Sequence, residues 1–205
     1  NLLNPGANYP HGPYQNNGPQ GRNMDTGNCT QDRRHILNTT VVAKTPSFSN
    51  NTLRLVASGW SFSTIFQVRS GQPLNIVIGT DVASSGFNGT QRPNQVLATP
   101  YGDRESLTSY FNSAAFAVPA AGTYGNGGFN NVVGPGFWQW DQAVTREFQI
   151  REGQRIEIRA EAFNVTNRMR RGNPAVSLAS ANTFGRILSS NGGPRIMQFA
   201  LKYVF

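Results

Sequence analysis

The sequence predicts an all-β fold, an antiparallel up-and-down meander of about five long strands joined by loops of very unequal length. Three observations predict it. Apolar residues make up 38% of the 205 residues and charged residues 14%, while 22 glycines and 12 prolines favour turns over helices. Several segments alternate between apolar and polar side chains, as strands with one apolar face do. The connections between these segments are alternately short and long.

The first part of the chain predicts a loop followed by a strand. Residues 1–32 are rich in Pro, Gly and Asn and lack apolar periodicity, so we expect an extended N-terminal loop there. The next run, 33–45 (RRHILNTTVVAKT), is rich in Val, Ile and Thr and predicts the first strand. Everything from residue 33 to residue 205 is then expected to form one β segment.

The second predicted strand covers 54–70 and has one apolar face. From Trp60 onward the pattern alternates with one exception, Ile65: the even positions carry Trp60, Phe62, Thr64, Phe66 and Val68, and the odd positions carry Ser61, Ser63, Ile65, Gln67 and Arg69. Side chains two residues apart lie on the same face of a strand, so this pattern separates an apolar from a polar face. A stretch without sustained alternation, 72–135, follows and predicts a long loop.

Three more features complete the meander. Strands are predicted over 136–150 and 154–166, with the tight turn REG, 151–153, between them. Gln142 and Arg146 interrupt the apolar face of the first of these strands, which predicts a bulge or snorkelling side chains. A second long loop, 168–194, leads to the last strand, 195–205.

The last strand, RIMQFALKYVF, alternates to its end. One face carries Met197, Phe199, Leu201, Tyr203 and Phe205, and the other carries Gln198, Ala200, Lys202 and Val204. An apolar face of this size needs to be covered, because large exposed apolar patches are rare on soluble monomers. It therefore packs inside a sandwich or faces lipid.

The order of the loops favours lipid. The short connections, 46–51 and 151–153, fall at one end of the meander, and the long ones, 72–135 and 168–194, fall at the other. Outer-membrane barrels show this asymmetry, with short periplasmic turns and long external loops. The sequence thus predicts a segment of a larger outer-membrane β-barrel, with Phe205 at the periplasmic end.

Two groups of side chains have predicted roles in such a barrel. Trp60, Trp138 and Trp140 are assigned to the long-loop ends of their strands, where an aromatic girdle meets the lipid–water boundary. A charge ladder is expected to face a wet lumen, with opposite charges paired across strands; it comprises Glu147, Arg155, Glu157, Arg159 and Glu161. In a sandwich, the same tryptophans would cap the core and the ladder would face bulk water.

Other functions find little support. Cys29 is the only cysteine, which excludes an internal disulfide. The net charge is +8, but no basic run is interleaved with stacking aromatics, so we expect dispersed charge or contacts with anionic lipid headgroups rather than nucleic acid. His11 and His35 have no nucleophile in a recognisable setting, and a strand rather than a helix follows GTYGNGG. We expect no enzyme, no metal and no cofactor.

Long stretches of the chain resemble a known family. GTYGNGGFNNVVGPGFWQWDQAVTREF, RIEIRAEAFNVTN and PRIMQFALKYVF are similar to the C-terminal end of TonB-dependent outer-membrane receptors. The similarity is greatest to the Oar-like acidobacterial receptors that carry a carboxypeptidase-regulatory-like domain. DRRHILN (32–38) and SGQPLNI (70–76) resemble barrel segments of the same group, so the resemblance runs from about Asp32 to the end. Phe129 departs from it, since such receptors often carry Arg there.

The resemblance implies nutrient uptake through a barrel of about twenty-two strands. The implied partners are the rest of the barrel, the plug, lipid, the barrel-assembly machinery, and TonB, which would contact a part outside this chain. It also implies a C-terminal assembly signal formed by Phe199, Leu201, Tyr203 and Phe205. The implied location is the bacterial outer membrane.

Two alternatives remain open at this point. A separately existing C-terminal fragment could pair with identical chains through its strand edges, as an extracellular filament-like or binding protein. A soluble carbohydrate-binding sandwich is the third possibility. The chain starts at Asn1, with neither an initiator Met nor a signal peptide, so we expect it to be a piece of a longer protein.

Overall fold

A computed structural model describes residues 25–86 and 91–205, and the predicted N-terminal loop therefore lies outside the described residues as far as residue 24. The elements are β1 (Ile36–Lys44), α1 (Asn51–Ala57), β2 (Trp60–Arg69), β3 (Pro73–Leu74), β4 (Asn94–Gln95), a 3₁₀ helix (Ser113–Ala115), β5 (Phe116–Ala117), β6 (Val132–Val133), β7 (Phe137–Arg151), β8 (Gln154–Phe163) and β9 (Ile196–Val204). The predicted all-β fold is confirmed.

The long strands form one five-stranded antiparallel sheet in the order β1-β2-β7-β8-β9. Each strand pairs with the next long strand along the chain, which is the predicted up-and-down meander. Arg69 lies opposite Phe137, and Phe163 lies opposite Ile196, so both long connections leave the same end of the sheet. We call this the long-loop end and the opposite one the short-turn end.

The structure corrects the start of the second strand, which was predicted at residue 54. Residues Asn51–Ala57 form α1, because the Asn50 side chain accepts hydrogen bonds from the backbone N–H groups of Thr52 and Leu53, at 2.9 and 3.2 Å. Gly59 then turns the chain with φ +78°, and a Cβ atom there would lie 2.5 Å from the Glu147 carbonyl oxygen. The second strand therefore starts only at Trp60.

The other long strands differ from the predicted bounds by at most three residues at either end.

The chain forms two compact units rather than one sheet with irregular loops. The sheet unit holds residues 35–69, 137–170 and 190–205. The loop unit holds the described residues among 25–34, 70–136 and 171–189. The sequence had predicted a division at residue 32 instead.

The apolar core lies in the loop unit. All the buried apolar residues of the described chain belong to it: Leu74, Ile76, Ile78, Tyr110, Phe111, Ala115, Phe116, Val132, Phe184 and Ile187. Aromatic rings meet edge to face, with 5.1 Å between the centroids of Tyr110 and Phe111. The Tyr110 hydroxyl donates to the Val133 carbonyl at 3.0 Å. The predicted long loop 72–135 therefore folds, together with part of the second long loop, around a shared apolar core.

A buried ion pair ties the start of the described chain into the loop unit. The Arg92 guanidinium lies 3.1 Å from the Asp25 carboxylate, and both side chains are buried. Arg92 Nε also donates to the Gly127 carbonyl at 2.9 Å, and its guanidinium lies 5.7 Å from the centroid of the Phe129 ring. Burial lowers the pKa of Arg92, and the hydrogen bond to Asp25 opposes that shift. Phe129 thus packs against an Arg that is distant from it in sequence.

Among the described residues, no helix is both long enough and apolar enough to cross a membrane.

Candidate functional site: the two faces of the sheet

The strand register assigns every residue of the sheet to one of two faces, because cross-strand partners point to the same side. One face, which we call the apolar face, carries Leu37, Thr39, Val41, Ala43, Trp60, Phe62, Thr64, Phe66, Val68, Trp138, Trp140, Gln142, Val144, Arg146, Phe148, Ile156, Ile158, Ala160, Ala162, Met197, Phe199, Leu201 and Tyr203. The other, the polar face, carries most of the Ser, Gln, Asp, Glu and Lys side chains of the sheet.

The apolar face is open where it reaches β9. Phe199 and Leu201 are 74% and 75% exposed, and Phe205 beyond the strand is 92% exposed. Tyr203 and Phe205 stack on each other, with 6.0 Å between their ring centroids. The four residues of the predicted assembly signal are thus brought together on and beside an edge strand. Their role in assembly stays a prediction.

The three tryptophans lie at both ends of the apolar face, which corrects their predicted placement. Trp138 is opposite Val68, and Trp140 is opposite Phe66, near the long-loop end as predicted. Trp60 is opposite Arg146 at the short-turn end, because Trp60 is the first residue of β2 and Arg69, the last, is at the long-loop end.

The two tryptophan levels are separated by most of the height of the apolar band of a membrane barrel. The partner of Trp60, Arg146, stands eight residues after Trp138 on β7 (146 − 138 = 8). At about 3.3 Å per residue the two levels lie about 26 Å apart along the strand, and a strand tilt of about 40° reduces this to about 20 Å along the membrane normal. The apolar band of an outer-membrane barrel is about 25 Å tall and has an aromatic girdle at each border. The spacing supports one girdle at each end rather than the single girdle predicted.

Arg146 is accommodated by stacking rather than by a bulge. Its guanidinium lies 4.9 Å from the Trp60 ring centroid and 4.4 Å from that of Phe148. It also donates to the Leu55 carbonyl at the end of α1, and the Trp60 indole N–H donates to the Val56 carbonyl at 2.8 Å. The register shift of this strand pair lies between Gln149 and Arg151, so of the two predicted alternatives, a bulge or snorkelling, the bulge does not occur at Gln142 or Arg146.

Gln142 is accommodated by a hydrogen-bonded group on the apolar face. The Thr64 hydroxyl donates to its side-chain carbonyl oxygen and accepts a hydrogen bond from the Trp140 indole N–H at 2.8 Å. The Gln142 amide donates to the Ala143 carbonyl at 3.0 Å. The polar atoms of the three side chains thus pair with the sheet itself. A lipid-facing surface requires this, because lipid offers no partners.

All five residues of the predicted charge ladder lie on the polar face. The structure pairs Arg159 with Glu161 at 2.7 Å, along one strand rather than across two. Glu147 stands directly opposite Glu157, a like charge, and Lys202 stands opposite Glu157 on its other side. The expected cross-strand pairing of opposite charges is therefore wrong for Glu147, because the register was not fixed by the sequence.

A tight turn that alternation along the chain does not predict follows β8. Asn164 has φ +53° and is buried, and its side chain bonds both the backbone N–H and the carbonyl of Arg168, each at 3.0 Å. Its own N–H donates to the Asp141 carboxylate at 2.8 Å, and Gln139 donates to the same carboxylate. Asn tolerates positive φ better than other residues with side chains, so the Asn in AFNVTN was the available signal.

The described residues contain no group of three or more His, Cys, Asp or Glu side chains that could hold a metal ion.

An antiparallel meander with one apolar face, bordered at both ends by tryptophans, has the features of a segment of a membrane β-barrel. The chain matches the family model described as an outer membrane beta barrel domain over residues 3–198. It belongs to that family and is a protein of the bacterial outer membrane. No curated protein and no solved structure matches it. Because a closed barrel needs at least about eight strands, the five strands of the sheet are part of a larger barrel.

Proposed function

We propose that this chain is the C-terminal barrel part of a TonB-dependent transporter of the Oar-like type, which takes up a scarce nutrient such as a siderophore, glycan or peptide. The observation that carries the proposal is the folded loop unit. Turns that only connect strands need no core, whereas the long connections here bury ten apolar residues and the Arg92–Asp25 pair. Loops of this length inside a folded protein are usually functional.

In the proposed mechanism the loop unit contributes to ligand capture and the polar face lines the route inward. The charge ladder keeps that face hydrated, since ionised groups need water or partners. Energy comes from TonB, through contacts with a part of the receptor outside this chain. The proposal includes no catalytic step and no cofactor.

The first test is the mass and solubility of the native species. A transporter predicts a particle on the order of 100 kDa that stays in solution only with detergent, as a twenty-two-stranded barrel would. That particle should also bind the periplasmic domain of TonB in a pull-down. A detergent-requiring particle that fails to bind TonB would overturn TonB dependence while leaving the barrel assignment intact.

One observation favours a second candidate function. Every residue of β1 is exposed, and β9 forms the other edge of the sheet, so both edges offer unpaired backbone groups. Identical chains could pair at such edges and form a filament-like or binding assembly. A detergent-free species built only from 22.4 kDa chains would support this candidate over the transporter.

A further inference from the structure

We propose that Arg168 and Arg195 form a binding site for the phosphate groups of a membrane lipid, at the long-loop border of the apolar face. Guanidinium groups suit this ligand, because their planar donors match the oxygens of phosphate.

Arg168 is placed at the membrane border by Trp138. Its guanidinium lies 4.9 Å from the centroid of the Trp138 ring, and Trp138 belongs to the apolar face. Tryptophans at this depth lie at headgroup level, with one side in the apolar layer and the other in the polar layer. Stacked on that ring, the Arg168 guanidinium is at the level of lipid phosphates rather than in the hydrocarbon.

The backbone of Arg168 is fixed by the buried Asn164 side chain. Asn164 accepts from the Arg168 N–H and donates to the Arg168 carbonyl, both at 3.0 Å. The Asn164 amide also lies 3.4 Å from the Gly193 carbonyl, which joins the turn to the segment before β9. A preorganised donor loses less entropy when it binds a ligand than a donor on a mobile loop does.

Arg195 is held beside the same turn. Its N–H donates to the Asn167 side chain at 2.9 Å, and its guanidinium donates to the Val165 carbonyl at 3.4 Å. Arg195 directly precedes β9, in the alternation that places Met197 and Phe199 on the apolar face. Two guanidinium groups thus come from the two chain segments that meet at Asn164.

The charges around the two arginines leave them available to an anion. Neither takes part in an ion pair among the described residues. The carboxylate that is bonded to the turn, Asp141, lies on the polar face and accepts hydrogen bonds from Gln139 and from the Asn164 N–H. In outer-membrane barrels the long loops are external, so the site faces the outer lipid layer.

The test uses the assembled barrel that contains this chain, purified in detergent and titrated with lipid A bearing two phosphates or with dephosphorylated lipid A. Native mass spectrometry counts the bound lipid. R168Q and R195Q should each weaken lipid A binding about fivefold, and the double variant about 25-fold. R186Q is the matched control: Arg186 is an exposed arginine of the loop unit whose side chain donates to the Asn182 carbonyl at 3.1 Å, and its substitution should not change lipid A binding.

Three results would overturn the proposal. The first is equal binding of lipid A and its dephosphorylated form by the wild type. The second is a double variant that binds lipid A as the wild type does. The third is displacement of lipid A by an equal concentration of inorganic phosphate, which would indicate a site for a soluble anion. If R168Q does not assemble, R195Q alone decides, since its side chain makes only one long hydrogen bond.

Discussion

At the scale of single residues, the apolar face shows how a membrane strand can carry polar side chains. The side chains of Gln142, Thr64 and Trp140 are hydrogen-bonded to one another. The Arg146 guanidinium contacts the rings of Trp60 and Phe148. Unmade hydrogen bonds cost more in lipid than in water, because no solvent replaces the missing partner. Each of these polar residues can therefore face lipid only because its neighbours on the same face supply its partners.

Removing one member of the Gln142 group should cost more than removing the pair. Thr64→Val leaves the Gln142 carbonyl oxygen and the Trp140 N–H without their partner, and we expect a loss of about 1–3 kcal/mol in the free energy of unfolding. Gln142→Leu together with Thr64→Val should recover part of that loss. The measurement is urea unfolding of the barrel in lipid vesicles, followed by tryptophan fluorescence. A double variant less stable than Thr64→Val alone would contradict this account.

At the scale of elements, β9 shows most clearly that the sheet has one apolar and one polar face. Each of its residues has a cross-strand partner on β8, so its two faces are fixed by register as well as by sequence. Phe199 stands opposite Ala160 on the apolar face, and Gln198 stands opposite Glu161 on the polar face. Adjacent residues on this strand consequently face different environments, lipid on the apolar face and water on the polar face.

The same charge should thus have opposite consequences at adjacent positions of β9. Phe199→Arg puts a guanidinium among lipid tails and should cost about 2–4 kcal/mol near the midplane. Gln198→Arg, the matched control, places it beside Glu161 and should cost little. The readout is the fraction of barrel that migrates as the folded form on an unheated gel. Equal folding of the two variants would show that the apolar face does not contact lipid.

At the scale of the whole molecule, apolar burial and membrane contact belong to different units. The sheet unit exposes its apolar face, whereas the loop unit has a buried aromatic core of the kind found in soluble domains. Tryptophans occur only in the sheet unit, while Tyr110 is among the most deeply buried residues of the loop unit. Probes at these residues can therefore report on each unit separately.

The loop unit should weaken at alkaline pH. Burial raises the pKa of Tyr110 above its ordinary value of 10.0, while the hydrogen bond from Arg104 opposes the shift. Because the folded pKa is the higher one, the stabilisation is fully present below pH 10 and is lost as pH rises through the folded pKa. Hydrogen exchange should then speed up at Val132 and Val133, with β8 as the internal control.

Tyr110→Phe separates this titration from other alkaline effects. The variant loses the hydrogen bond to the Val133 carbonyl, so we expect it to be about 0.5–1.5 kcal/mol less stable at neutral pH. Its loop unit should show no loss of protection tied to Tyr110 as the pH rises above 10. An alkaline loss as large as that of the wild type would assign the effect to another group.

Alternation predicted β2, β7, β8 and β9 because it is local: two residues of the same strand share a face whatever the strand pairs with. The core of the loop unit could not be found in this way. Leu74, Ile76 and Ile78 do alternate, but Tyr110, Val132 and Phe184 come from distant segments that only tertiary packing brings together. The cap at Asn50 was a local signal for α1 that the β-rich context concealed.

The sequence by itself determined the meander, its apolar face and the positions of its short and long connections, since each follows from side-chain periodicity and turn residues along the chain. Only the tertiary structure decided the rest. Register placed Trp60 and Trp138 at opposite ends of the apolar face and set Glu147 against Glu157. It also brought Arg168 and Arg195 to one turn. These relations join residues far apart in sequence, and pairing and packing energies, not local preference, select them.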